Sequence, residues 1–129
     1  MHRHRILLIE DEEELAELLV DLLRDFGYEA RSAFSLASAA EQLQEFHPCA
    51  VISDVTLPDV ERTELVARLR EHVGQAPIVL MSAIAPSELR RLATEQGAQG
   101  ALSKPFELNE FERAMRFECP ETEAQQPGA

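Results

Sequence analysis

Arg5-Ile6-Leu7-Leu8-Ile9-Glu10-Asp11-Glu12-Glu13-Glu14-Leu15 is the stretch that decides the fold. Four consecutive aliphatic residues between a basic flank and an acid block describe a short strand covered on both faces, because a strand open to water on one side alternates apolar and polar. Leu15, Leu18, Leu19, Leu22 and Phe26 then recur at helical spacing. Glu12 to Glu14 suit the positive N-terminal end of that helix, and Gly27 suits its C′ position. A doubly covered strand running straight into a helix is the opening unit of a parallel α/β sheet.

The same unit returns along the chain. Tyr28 to Ala33 is half polar and reads as an edge strand; Ser35 caps a helix with apolar positions Leu36, Ala40, Leu43 and Phe46, and Pro48 ends it. Cys49 to Ser53 is the third strand. After a turn at Leu57-Pro58-Asp59, a helix is expected from Thr63 to His72 on Leu65, Val66 and Leu69. Ile78 to Met81 is the fourth strand, and Pro86 opens a helix carried by Leu89, Leu92 and Ala93 and closed by Gly97. A short fifth strand at Gln99 to Ser103 and a helix on Leu108, Phe111, Ala114 and Met115 complete five βα units. Such alternation demands parallel strands with right-handed crossovers, and a polar second strand fits the flavodoxin-like doubly wound order 2-1-3-4-5. Residues 5–117 are expected to form this domain, and 118–129, polar and without periodicity, a disordered C-terminal tail.

Composition narrows the function. The chain has 129 residues with 12 basic against 24 acidic side chains, a formal net charge of −12. One domain and no attached output domain fit that length. Its scattered basic residues argue against nucleic acid and anionic membranes as partners. The longest strongly apolar run, Ile6 to Ile9, is far below the ~20 residues a membrane span needs, so a cytoplasmic protein is expected. Cys49 and Cys119 form no CxxC pair and read as plain thiols, Cys49 buried.

Doubly wound sheets bind ligands at the carboxyl ends of their strands. There this chain places Glu10 and Asp11 after strand one, Asp54 after strand three, Ser82 after strand four and Lys104 after strand five. Three clustered carboxylates repel one another unless one is protonated or a cation lies between them. Oxygen-only ligands select a hard cation, and Mg²⁺ in such a site implies phosphate chemistry. Asp54 is placed to act as a carboxylate nucleophile on phosphorus. Lys104, the Ser82 hydroxyl and the cation are then available to the three equatorial oxygens, with the Ala83 amide helping.

Glu10-Asp11, Ser53-Asp54-Val55-Thr56-Leu57-Pro58, Met81-Ser82-Ala83 and Ser103-Lys104-Pro105-Phe106 together resemble the receiver domain of two-component response regulators. The resemblance covers about residues 5 to 117. It implies a phosphoacceptor module of a phosphorelay, phosphorylated on Asp54 by a histidine kinase or phosphotransfer protein and catalysing its own phosphorylation and dephosphorylation. It implies Mg²⁺ on Glu10, Asp11, Asp54 and the Thr56 carbonyl, Ser82 and Lys104 on the phosphoryl group, and a cis Lys104-Pro105 peptide. It implies a monomer or weak homodimer that reaches a downstream protein through the face of the fourth helix, fifth strand and fifth helix. Two positions depart from the family pattern. Ala101 stands where receivers usually carry a switching aromatic residue, and Arg62 where they commonly have glycine.

Plainer readings hold elsewhere. Glu12, Glu13 and Glu14 are a solvated helix start, Arg90 and Arg91 a solvated helix face, and His2, His4, His47 and His72 are not spaced as ligands. Three alternatives follow from the residues. A pseudo-receiver that binds partners regardless of phosphate draws its support from Ala101 and Arg62. A haloacid-dehalogenase-like phosphatase would want a second aspartate where Thr56 stands. A flavodoxin would want amide and hydroxyl donors where five acids, Glu10 to Glu14, would repel its phosphate.

Overall fold

The computed structural model describes residues 4–118. Along the chain run β1 (Arg5–Ile9), α1 (Glu13–Asp25), β2 (Glu29–Ala33), α2 (Leu36–Gln42), β3 (Ala50–Asp54), α3 (Leu65–Val73), β4 (Ile78–Ser82), α4 (Pro86–Gln96), β5 (Gly100–Ser103) and α5 (Leu108–Glu118). All strand pairs are parallel, in the order β2-β1-β3-β4-β5. The expected doubly wound α/β sheet is therefore present.

Alternation along each central strand divides the core in two. Ile6 and Leu8 of β1 and Ile52 of β3 pack with Leu19 and Leu23 of α1 and Phe111 of α5. Leu7, Ile9 and Val51 point to the opposite face, against α2, α3 and α4 through Leu36, Leu69 and Leu89. Residues of β3 and β4 are buried throughout, whereas β2 and β5 are only partly buried, each having a neighbouring strand on one side only. Helix ends follow the chain chemistry: Pro86 takes the first position of α4, and Gly27 (φ +99°) and Gly97 (φ +77°) adopt the left-handed backbone that closes α1 and α4. No heavy atom lies within 4 Å of an added Cβ at either glycine, so the constraint there is the backbone angle and not space.

Several local expectations shift. Helix α2 ends at Gln42, and Ala39 rather than Ala40 is the buried position; Leu43 and Phe46 still reach the core from beyond the helix. Helix α3 starts at Leu65, two residues later than expected, because the segment before it is held by other contacts. Leu108 is exposed at the first position of α5, on the rim of an open hollow that it lines with Leu15 and Leu18 of α1. Cys49 is half-buried, its Sγ accepting the Arg5 amide. Glu118, expected in the tail, is the last residue of α5; Cys119 and the remainder of the expected tail lie outside the described residues. No helix among the described residues is long and apolar enough to cross a membrane.

Candidate functional site

Parallel strands of nearly equal length bring their carboxyl ends to one edge, and the backbone ladder continues one residue past several of them. Glu10 N–H donates to Ala33 O, Val55 N–H to Met81 O, and Lys104 N–H to Ser82 O, at 2.9, 3.0 and 2.8 Å. Glu10 and Lys104, which follow β1 and β5, and Asp54, which ends β3 rather than following it, are thus carried by the rigid sheet and not by free loops.

Glu10, Asp11 and Asp54 each offer a carboxylate oxygen to a group whose atoms lie within 4.8 Å of one another. Glu10 and Asp54 are buried and Asp11 is exposed. Lys104 Nζ lies between the buried pair, donating to Glu10 Oε1 at 2.7 Å and Asp54 Oδ2 at 2.9 Å. The second oxygens are also occupied: Glu10 Oε2 accepts from the Glu12 amide at 3.0 Å, and Asp54 Oδ1 from the Thr56 amide at 3.1 Å. The sequence placed Lys104 at this edge without showing that its ammonium pairs with both buried acids. Three carboxylates and one ammonium leave a formal charge of −3 + 1 = −2. That surplus, offered by oxygen alone, fits a hard divalent cation.

Burial pushes the Glu10 carboxyl up; Lys104 and the Glu12 amide pull it down without cancelling that effect, so it stays above the ordinary carboxylate value. Burial pushes Lys104 down, but its hydrogen bonds and charge interactions with Glu10 and Asp54 outweigh it and hold the ammonium above the ordinary lysine value. On the far side of the site, slight desolvation raises Asp59, and the amides of Leu36 and Ala37 overcome it, leaving that carboxyl below its usual value.

These shifts have opposite consequences for stability. A raised Glu10 contributes stability below its unfolded pKa and loses it as pH rises through the folded value, so ionised Glu10 weakens the metal-free fold. A lowered Asp59 contributes stability above its unfolded pKa and loses it as pH falls through the folded value. In magnesium-free buffer the thermal midpoint is therefore expected to rise on mild acidification and to fall again in stronger acid. Glu10→Gln should remove the rise and keep the fall, measured as midpoint against pH for both chains. A midpoint that falls steadily from neutral pH in the wild type would contradict the Glu10 assignment.

Ser82 is buried; its Oγ accepts the Ile84 amide at 3.2 Å, leaving the hydroxyl proton for another acceptor. Thr56 is exposed and Ile84 half-buried. The Lys104-Pro105 peptide is cis, and Phe106, next in the chain, stacks on the buried Phe111 with ring centroids 5.5 Å apart. Ala101 is exposed on β5, beside a hollow of about 390 Å³ between β5 and α5 lined by Gln99, Leu102, Glu110 and Arg113. Arg62 fits its turn through its backbone: its carbonyl accepts from Gln96 Nε2 at 2.7 Å, while Gln96 Oε1 accepts the Val66 amide at 3.1 Å. Sequence reasoning missed Asp59, which ties the β3–α3 segment to α2, and Gln96, which holds that segment from α4; the Pro58-Asp59 pair signalled only a turn.

Comparison with known proteins agrees with this fold. The family model described as response regulator receiver domain matches residues 6–116. A putative response regulator from Chloroflexus aurantiacus is 32% identical, with a TM-score of 0.80 over 92% of this chain and 100% of that one. Chemotaxis protein CheY of Halobacterium salinarum is 28% identical over 103 residues, 80% of this chain and 86% of that protein. The receiver domain of sensor histidine kinase PA1611 from Pseudomonas aeruginosa, with a magnesium ion coordinated in its active site cleft, shares the fold at a TM-score of 0.78 and 23% identity, over 92% and 98% of the two chains. The chain spans 27% to 54% of the length of the first curated relatives it matches.

Proposed function

This chain belongs to the response regulator receiver domain family of two-component signalling, and from that premise we propose that Asp54 is its phosphoacceptor. The observation that carries the reading is the buried Asp54 carboxylate, held by Lys104 at 2.9 Å within a group of three acids. One Asp54 oxygen attacks the phosphorus of a phosphohistidine donor. An O–P bond forms, the P–N bond to the donor imidazole breaks, and its electron pair returns to the imidazole nitrogen. Lys104 and the Ser82 hydroxyl hold phosphoryl oxygens, with the Ala83 amide beside them. Transfer therefore asks the protein for positioning and charge neutralisation more than for proton movement.

The all-oxygen, net-negative group fits Mg²⁺, with Glu10, Asp11, Asp54 and the Thr56 carbonyl as the residues that would hold it. When bound, the ion neutralises charge that builds on the phosphoryl oxygens. The PA1611 receiver, with magnesium in its cleft, supports the choice of metal. In this reading residues 5–117 act as one domain in the cytoplasm, catalyse both gain and loss of the phosphoryl group, and as a monomer or weak homodimer pass the signal to a protein through the α4–β5–α5 face. A histidine kinase or phosphotransfer protein is the donor. Neither nucleic acid nor membrane is a partner of this acidic unit.

Calorimetric titration of the whole chain with Mg²⁺, and then with beryllofluoride in its presence, tests the proposal. Saturable binding of both, lost in Asp54→Asn for beryllofluoride, is expected. Absence of both in the wild type would favour a module that binds partners regardless of phosphate, a reading to which the exposed Ala101 gives some support.

The lifetime of the phosphoryl group should depend on Ile84 and Thr56, two residues beyond Ser82 and Asp54 respectively. Half-buried Ile84 is apolar, and an apolar side chain there keeps attacking water away. Ile84→Glu should speed hydrolysis by about tenfold, or ~1.4 kcal/mol of barrier. Decay of the labelled protein after donor removal reads this directly, and equal decay in both chains would refute it.

A further inference from the structure

Asp59 lies five residues beyond Asp54, on the turn between β3 and α3, yet its hydrogen bonds go to another helix. Its Oδ1 accepts the Leu36 amide at 2.9 Å and its Oδ2 the Ala37 amide at 2.9 Å. The next amide of α2, that of Ser38, goes to Ser35 Oγ at 3.0 Å, and Ser38 Oγ returns to the Ser35 amide. Helix α2 therefore already owns a complete capping box, and Asp59 fills the two N–H groups that the box leaves open. The capping box holds α2 from its own side, while the Asp59 carboxylate ties the β3–α3 turn to two further amides of that helix start.

That turn has three other fixed points. Val55 N–H is tied to Met81 O at 3.0 Å, Leu57 is buried in the core and bridges to Val60, and Arg62 O is held by Gln96. Between Val55 and Leu57 lies Thr56, whose amide donates to Asp54 Oδ1 at 3.1 Å. Asp54 is thus oriented by two donors, Lys104 on one oxygen and the turn on the other. Pro58 stiffens the two-residue link from Leu57 to Asp59, so the position of Asp59 bears on the Thr56 peptide.

We propose that Asp59 is a positioning residue for the phosphoacceptor: by strapping the β3–α3 turn to the start of α2, it keeps the Thr56 peptide seated on Asp54. The proposal rests on Asp54 and the Thr56 carbonyl being the cation-binding groups of the proposed function. The strap is bidentate and charge-assisted, and Asp59 is held ionised by the same two amides, so it persists at neutral pH. Asparagine keeps one acceptor and should keep part of the effect; alanine keeps none.

The test compares wild type, Asp59→Ala, Asp59→Asn and Ser35→Ala by calorimetric titration with Mg²⁺ alone and by thermal denaturation without metal. Ser35→Ala weakens α2 from its own side and leaves the turn strapped. The expected result is that Asp59→Ala weakens Mg²⁺ binding about tenfold, as removal of a hydrogen bond supporting a metal ligand does, with Asp59→Asn between it and wild type. Ser35→Ala should lower the midpoint with wild-type Mg²⁺ affinity. Equal affinity in Asp59→Ala and wild type, or an equal loss in Ser35→Ala, overturns the proposal by reducing Asp59 to a helix cap. Failure of the wild type to bind Mg²⁺ would instead overturn the proposed function on which it rests.

Discussion

Asp54→Asn is expected to abolish magnesium-dependent labelling of the chain by acetyl phosphate. The change replaces a carboxylate nucleophile by an amide, whose nitrogen lone pair is delocalised and whose oxygen carries no formal charge. Neither neighbouring acid replaces it: the Glu10 side chain is 1% exposed against 10% for Asp54, and Asp11 lies out at the surface. The variant should fold, because asparagine still offers an oxygen to Lys104 and the mutation removes one of three repelling charges. Folding and labelling are thus separable, which makes the outcome interpretable. A loss of at least about a thousandfold corresponds to ~4 kcal/mol of transition-state stabilisation. Incorporation of phosphoryl groups into wild type and variant, checked against their denaturation midpoints, gives the answer. Labelling at the wild-type level would place the acceptor elsewhere.

Lys104→Met combines the largest stability effect with a loss of labelling. The ammonium is shared by two buried acids at 2.7 and 2.9 Å, and the Glu10 side chain is 1% exposed. Removing one partner of such a pair leaves uncompensated buried charge, which typically costs about 3 kcal/mol or more. Glu10 should respond by holding its proton to higher pH, which limits the loss. Magnesium should restore part of it, since an ion bound only to the folded state at a hundred times its dissociation constant contributes about 2.7 kcal/mol. The expected signature is a low midpoint in chelator, recovery with added Mg²⁺ that exceeds the wild-type response, and little phosphorylation even when recovered. A variant as stable as wild type in chelator would mean that the Lys104 contacts contribute nothing to the fold.

Both experiments address a site whose position was legible and whose wiring was not. Ile6 to Ile9, Cys49 to Ser53 and Ile78 to Met81 announced doubly covered strands through their uninterrupted apolar character, and the half-polar Tyr28 to Ala33 announced an edge. Once the strands are parallel and of similar length, the residues that follow them share one edge, so the meeting of Glu10, Asp11, Asp54 and Lys104 followed from element order. The wiring involves partners far apart in sequence. Lys104 and Glu10 are 94 positions apart, Gln96 and Arg62 34, and Asp59 and Leu36 23. No periodicity reports such pairs, because they depend on strand register and on the path each loop takes.

Local misreadings have the same origin. Ala40 lost its place to Ala39 because α2 is a single short helix whose rotation is set by Ser35, Ser38 and Asp59 at its start and not by a long apolar stripe. Leu108 fits the apolar spacing of α5 but lies at the helix start, where it lines an open hollow facing α1 and stays exposed. Asp59 looked like one more turn residue because its carboxylate chemistry suits a turn as well as a remote cap.

By itself the sequence determined the five βα units, the sheet order and the set of acids and the lysine at its carboxyl edge, because hydrophobic period and element order act locally and are written residue by residue. Only the tertiary structure decided that Lys104 joins Glu10 to Asp54 and that Asp59 and Gln96 hold the turn beside them. Those bonds form where distant segments come within about 3 Å, and that proximity is a property of the packed sheet and loops, which no single segment encodes.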